Sequence, residues 1–153
     1  MEDHLFFPLF FDLSAKNALV VGGGKIAARR VGTLLPFVRR VTVVAKECLP
    51  ELRLRAEAEE LTLHERPFED ADLDGAALVL CATGDAETDE RVWRLCRERG
   101  ILVNIASDKD KCDFYFPGVV RDGSVVVGVT AGGADHKKAR ETTERIRGLL
   151  EPK

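Results

Sequence analysis

Apolar residues along this chain fall into short, nearly unbroken runs separated by segments of helical period. Ala18 to Val21, Val41 to Val44, Ala76 to Ala82 and Ile101 to Ile105 are such runs, the pattern of strands in a parallel sheet covered on both faces. Between them lie a helical segment from Lys25 to about Leu35, which Pro36 should stop, and a second near Pro50 to Glu60. A third, Thr88 to Gly100, carries Val92, Leu95 and Cys96 at helical spacing. Leu61 to His64 reads as a short strand and Asp70 to Gly75 as a loop. Strand and helix therefore alternate, which predicts an α/β, Rossmann-like, doubly wound parallel sheet. Leu5 to Phe11 is expected to pack as an extended edge before the first strand, with Asp12 to Asn17 as the turn.

After Asp113 the rhythm changes. Phe114 to Val120 and Ser124 to Thr130 flank Arg121-Asp122-Gly123 as a hairpin would, and Ala134 to Leu150 reads as a last helix behind Gly132-Gly133. A hairpin and one helix are too small to fold alone, so this segment is expected to pack on the sheet or pair with a second subunit as a dimerisation segment. The chain accordingly divides into the doubly wound domain at 1–112 and the hairpin and helix at 113–153.

The junction between the first run and the first helix carries the chemistry. Leu19-Val20-Val21 breaks into Gly22-Gly23-Gly24-Lys25-Ile26-Ala27, a G-x-G-x-x-A spacing. A strand that turns through glycine into a helix presents bare N–H groups and a positive dipole end, which suit a diphosphate. Gly22 permits the tight turn, Gly24 lets a pyrophosphate approach the main chain, and Ala27 lets helix and strand pack closely. A dinucleotide is the ligand this spacing points to.

Composition narrows the alternatives. At 153 residues, 45% hydrophobic and 32% charged, the chain holds one good core. A net charge of -3 with both signs interspersed argues against nucleic acid. Cys48, Cys81, Cys96 and Cys112 include no C-x-x-C pair, so no zinc or other metal site and no dithiol motif is expected. The acidic N-terminus does not resemble a signal peptide and no apolar run approaches membrane-spanning length, so a cytoplasmic protein without membrane contact is expected. Gly24-Lys25 is followed by Ile26 instead of Ser or Thr, which excludes a phosphoryl-transfer loop, and Tyr115 lacks the lysine four places on that short-chain dehydrogenases pair with theirs.

Several blocks, in order, resemble the precorrin-2 dehydrogenase part of siroheme synthases: Phe7-Pro8-Leu9-Phe10-Phe11-Asp12-Leu13, Val20 to Arg30, Cys81-Ala82-Thr83, Val103-Asn104, Cys112-Asp113-Phe114, Phe116-Pro117 and Gly132-Gly133. The resemblance implies NAD-dependent oxidation of precorrin-2 to sirohydrochlorin by a homodimer. It implies that Gly22, Gly23, Gly24, Lys25 and Ile26 hold the pyrophosphate, that Ala45, Lys46 and Glu47 border the adenosine ribose, and that Ala82, Thr83 and Asn104 lie with the coenzyme. The ribose-binding carboxylate usual at the end of the second strand is replaced by Ala45-Lys46, so NAD over NADP rests on the resemblance. Lys109, Lys111, Arg121, Lys137, Lys138 and Arg140 are candidate partners for the substrate's carboxylates.

The chain also departs from that pattern. An aspartate that follows the Val-Asn strand in bifunctional relatives is Ser107 here, with Asp108 next to it. A serine takes no proton near neutral pH without a partner base, whereas a carboxylate does. Asp108 and Ser107 are therefore the catalytic candidates. The serines before the glycine pair and the Ser-Pro after it become Thr130-Ala131 and Asp135-His136, which argues against the iron insertion some relatives perform and leaves Asp108, Asp110, Asp135 and His136 as the residues able to guide iron or take its protons. Two other roles fit the same residues: a silent module that binds NAD or tetrapyrrole without turnover, and a dimer-forming subunit of a larger synthase.

Overall fold

The computed structural model describes residues 5–151. They form two compact units, Asp12–Phe114 and a smaller one of residues 5–11 with 115–151. The larger unit is a parallel sheet of five strands, β1 (Asn17–Val21), β2 (Arg40–Ala45), β3 (Thr62–Glu65), β4 (Ala76–Cys81) and β5 (Leu102–Ile105), in the order β3-β2-β1-β4-β5. Ala18 to Val21 are buried without alternation because helices cover both faces of the central strand. The chain order reverses between β1 and β4, so a crevice opens at their carboxyl ends.

Three helices cross between the strands: α1 (Lys25–Leu34), α2 (Pro50–Glu57) and α3 (Ala86–Arg99). On α1, Ala27, Ala28, Val31 and Leu34 face the core, and Val31 is wholly buried. Pro36 does not simply halt this helix. It sits at the head of a 3-10 turn, Leu35–Phe37, where its missing N–H leaves no bond broken. Asp85 caps α3 by accepting from the Glu87 N–H, Glu87 and Asp89 occupy the first turn and Arg97 and Arg99 the last, and Gly100 closes it at φ +68°. The expected loop at 70–75 includes a 3-10 turn, Asp70–Leu73, which Arg91 and Arg99 of α3 tie down through Asp70 and Asp74. The core of the unit gathers Leu19, Val21, Val44, Leu73, Val79, Val92, Val103 and Ile105.

The smaller unit holds the hairpin β6 (Gly118–Asp122) and β7 (Val125–Val129) and the helix α4 (His136–Leu150). Its turn is Gly123-Ser124, one residue beyond the expected one, because Asp122 still pairs with Val125. A Cβ on Gly118 would stand 2.3 Å from Thr143 Oγ1, so α4 lies directly on the hairpin backbone, and Arg147 donates to the Val119 carbonyl at 3.2 Å. Residues 5–11, expected as a sheet edge of the coenzyme domain, form no strand and group with this unit instead. Pro8 offers no N–H to a ladder, and Phe6 packs edge to face on Tyr115 at 4.6 Å. Leu5, Phe7, Leu9, Phe10 and Phe11 remain exposed.

Candidate functional site

The crevice at the carboxyl edge of the sheet is a cleft of about 650 Å³ within the larger unit. Its floor is the turn from Val21 to Ile26; one wall comes from the ends of β2 and β3, with Ala45, Lys46, Glu47 and Arg66, and the other from the end of β4 and the start of α3, with Ala82, Thr83, Gly84, Asp85 and Thr88. Ten of the expected site residues thus meet in one place: Gly22, Gly23, Gly24, Lys25, Ile26, Ala45, Lys46, Glu47, Ala82 and Thr83.

The three glycines are there for different reasons. Gly22 has φ +120° and a Cβ on it would lie 2.2 Å from the Ala82 carbonyl oxygen, while its N–H donates to Val44 at 2.9 Å. A Cβ on Gly23 would lie 2.4 Å from the Glu47 carbonyl oxygen and 2.6 Å from Cys48 Cβ. Both are demanded by neighbouring backbone. Around Gly24, at φ -85°, a Cβ would meet nothing within 4 Å. The first turn of α1 behind it has no side-chain cap and no acidic residue, so no side chain there satisfies the orphan N–H groups of the helix. An anion with a shape that fits against bare backbone suits this floor, as a diphosphate does.

The walls carry charge of both signs. Asp85 accepts from Thr88 Oγ1 at 2.6 Å, and that bond holds its carboxyl below the ordinary range, with a smaller contribution from the charge of Lys46. Arg66 is bound by two hydrogen bonds of 2.9 and 2.7 Å to Asp72, which fixes it at the end of β3.

The remaining expected residues lie elsewhere. Asn104 is buried, accepts from Arg30 Nη1 at 2.7 Å and donates to the Phe114 carbonyl at 2.9 Å, and it does not line the cleft. It ties α1 to the chain beyond β5. Ser107 and Asp108 follow β5, also outside the cleft lining. Asp108 accepts from the Asp110 N–H at 3.0 Å in a short 3-10 turn and stands 3.9 Å from Lys111. Lys111, a candidate for substrate carboxylates, is paired with Glu90 and lies over the Trp93 ring. Asp135 accepts from the Lys138 N–H at 2.8 Å as the cap of α4.

One residue escaped the sequence reading. Asp89, on the buried face of α3 with Val92 and Cys96, is 5% exposed. Its Oδ1 accepts from the Thr83 hydroxyl and from Cys81 Sγ at 3.2 Å, and its Oδ2 accepts from Ser107 Oγ at 3.0 Å. Burial, and then the charge of Asp89, push the Cys81 thiol far up, so it stays protonated as a donor. The only sequence signal was the i, i+3, i+7 spacing of 89, 92 and 96.

Residues 9–118 match the model of a family described as "Putative NAD(P)-binding". The "Probable multifunctional siroheme biosynthesis protein HemA" of Ruminiclostridium josui is 39% identical over 94% of this chain and 28% of its own length. Siroheme synthases of Thioalkalivibrio sulfidiphilus and Buchnera aphidicola are 37% and 32% identical over 95% of this chain, covering 30% and 31% of theirs. The chain spans under a third of the length of these curated relatives. A solved structure, "SirC, precorrin-2 dehydrogenase", superposes with a TM-score of 0.79 at 23% identity over 95% of this chain and 72% of that one, and so shares the fold. With the family match covering most of its length, glycine turn included, the chain belongs to this NAD(P)-binding family.

Proposed function

We propose that this protein oxidises precorrin-2 to sirohydrochlorin with NAD⁺ as hydride acceptor. The observation that carries the reading is the uncapped α1 terminus behind Gly24, open to the cleft, in a chain whose relatives are siroheme synthases. Gly22 to Ile26 would hold the diphosphate, Ala45, Lys46 and Glu47 the adenosine ribose, and Ala82 and Thr83 the nicotinamide half. Asn104 acts from behind, holding α1 through Arg30. The substrate gives up one hydride and one proton. A bound nicotinamide supplies the hydride sink, so the protein's work is orientation and removal of that proton. We assign the proton to the Asp108 carboxylate, which is 41% exposed and can pass it to water; Ser107 beside it is held by Asp89.

Iron insertion is not part of this reading, since Asp135 is engaged as a helix cap. The protein is further proposed to act as a homodimer joined through the hairpin unit, where Val125 is 53% exposed, and to work in the cytoplasm, where its four free cysteines stay reduced. No helix among the described residues is long and apolar enough to cross a membrane.

The test is to incubate the purified protein anaerobically with precorrin-2 and NAD⁺. Sirohydrochlorin absorbance and NADH should rise together in equal amounts. Binding of coenzyme without either product would leave a silent binding module.

A further inference from the structure

Asp89 is a carboxylate placed where the fold asks for an apolar side chain. It occupies the core-facing stripe of α3, 5% exposed, and among the described residues no lysine, arginine or histidine forms an ion pair with it. Its partners are one thiol and two hydroxyls, all neutral donors. Such donors, with the α3 dipole, offset part of the cost of burying a carboxylate; Lys111, which feels the Asp89 charge, is itself paired with Glu90, so in a low-dielectric setting the charge still reaches its surroundings with little screening.

One direction of reach leads into the cleft. Thr83, which donates to Asp89, is itself a wall residue at the end of β4, so the buried anion stands one side chain behind the cleft surface. Asp85, the other carboxylate on this wall, is exposed, and water and salt screen it. The β4 wall lies opposite the wall formed by Ala45 to Glu47, so a dinucleotide lying across the glycine floor with its adenosine toward β2 turns its nicotinamide half toward β4. The oxidised nicotinamide ring is a cation and the reduced ring is neutral. A fixed anion behind that wall therefore separates the two forms by charge alone.

We propose that Asp89 is a positioning and specificity-determining residue: its buried charge makes the cleft hold the oxidised, cationic coenzyme in preference to the reduced, neutral one. The inference rests on the coenzyme reading given under Proposed function, and adds a direction to it. An enzyme that consumes the oxidised form gains if the product form leaves more readily.

The test is a pair of binding measurements on the whole chain without substrate. NADH is titrated by its fluorescence and NAD⁺ by competition, for the wild type and for Asp89→Asn, which keeps the size and one acceptor oxygen, removes the charge, and requires the Ser107 hydroxyl to turn and accept instead of donate. The ratio of NAD⁺ to NADH affinity should fall about tenfold in the variant, the order of effect that one weakly screened unit charge has on another. In the wild type the ratio should hold across a roughly tenfold range of salt, because a buried charge is weakly screened and an exposed one is not. A structural role alone would move both affinities together, so an unchanged ratio overturns the proposal. If the variant does not fold, the wild type still decides: a preference for NAD⁺ that salt abolishes points to Asp85 and overturns the role of Asp89. Wild-type protein that binds neither form overturns the coenzyme reading as well.

Discussion

Alanine at each of the three glycines separates packing from ligand binding within one turn. At Gly22 the new methyl would stand 2.2 Å from the Ala82 carbonyl oxygen, and the residue would keep φ +120°, a conformation that only glycine adopts at little cost. The backbone strain costs about 1–3 kcal/mol and forcing β1 away from β4 another 1–3 kcal/mol or so. A loss of about 4 kcal/mol out of a typical total of roughly 5–15 kcal/mol should lower the melting temperature by about 10 °C. Gly23→Ala should lose the packing part alone, about 1–3 kcal/mol, since its methyl would lie 2.4 Å from the Glu47 carbonyl oxygen while its backbone carries no left-handed strain. At Gly24 the methyl meets nothing within 4 Å and the backbone is already in an ordinary region. The poorer helix cap and the stiffer unfolded chain roughly cancel, so stability should stay within about 1 kcal/mol of wild type. The same methyl fills the space a diphosphate needs, so NADH affinity should fall at least tenfold, about 1.4 kcal/mol. Thermal denaturation and NADH fluorescence titration on the same samples read both effects. A Gly24→Ala protein that binds coenzyme like wild type would refute the assignment of the turn, and an unshifted melting curve for Gly22→Ala would refute the packing argument.

Two further outcomes are expected. The Asp72 carboxyl is held below its ordinary value first by its hydrogen bonds from Arg66, so it stabilises the fold above about pH 4 and loses that contribution as pH falls through its folded-state value. Asp72→Asn should therefore cost about 2 kcal/mol in urea denaturation at pH 7, and the gap to wild type should narrow in acid; a gap independent of pH would contradict the pairing. If the hairpin joins two copies, Val125→Asp should convert a dimer to a monomer by light scattering while leaving helical content intact, and a mass that does not change would remove the hairpin from the interface.

The larger unit was legible because a parallel sheet buried on both faces leaves an unmistakable record. Ala18 to Val21 and Ala76 to Cys81 cannot alternate polar and apolar residues when helices cover each side, and the helical period between them supplies the covers. The floor of the cleft was legible for a related reason: glycine is needed where no side chain fits. What was hidden depends on contacts that spacing does not encode. The resemblance places Asn104 with the coenzyme, yet its amide accepts from Arg30 and donates to the Phe114 carbonyl, contacts that spacing along a strand does not encode. Residues 5–11 read as a strand by their apolar density, but a strand needs a partner and Pro8 lacks the donor.

Asp89 was the hardest to see, and the reason bears on what it does. An acidic residue in the first turn of a helix is the expected complement to the helix dipole, so in sequence it needs no further explanation. That account would serve equally well for a side chain in water, as Glu87 is, and would require nothing from Cys81, Thr83 or Ser107. In the fold the carboxylate faces inward, and donors from the end of β4, the wall of the cleft and the turn after β5 converge on it. Helix stabilisation does not call for that convergence, because a surface carboxylate stabilises the same dipole without desolvation. A charge held beside a cleft, at the strand ends where ligands of open α/β sheets bind, is better explained by what the cleft must discriminate. The two forms of a nicotinamide coenzyme are nearly identical in shape and differ by one unit of charge, so a pocket that distinguishes them has to do so electrostatically, and Asp89 is the one buried carboxylate among the described residues placed to do it.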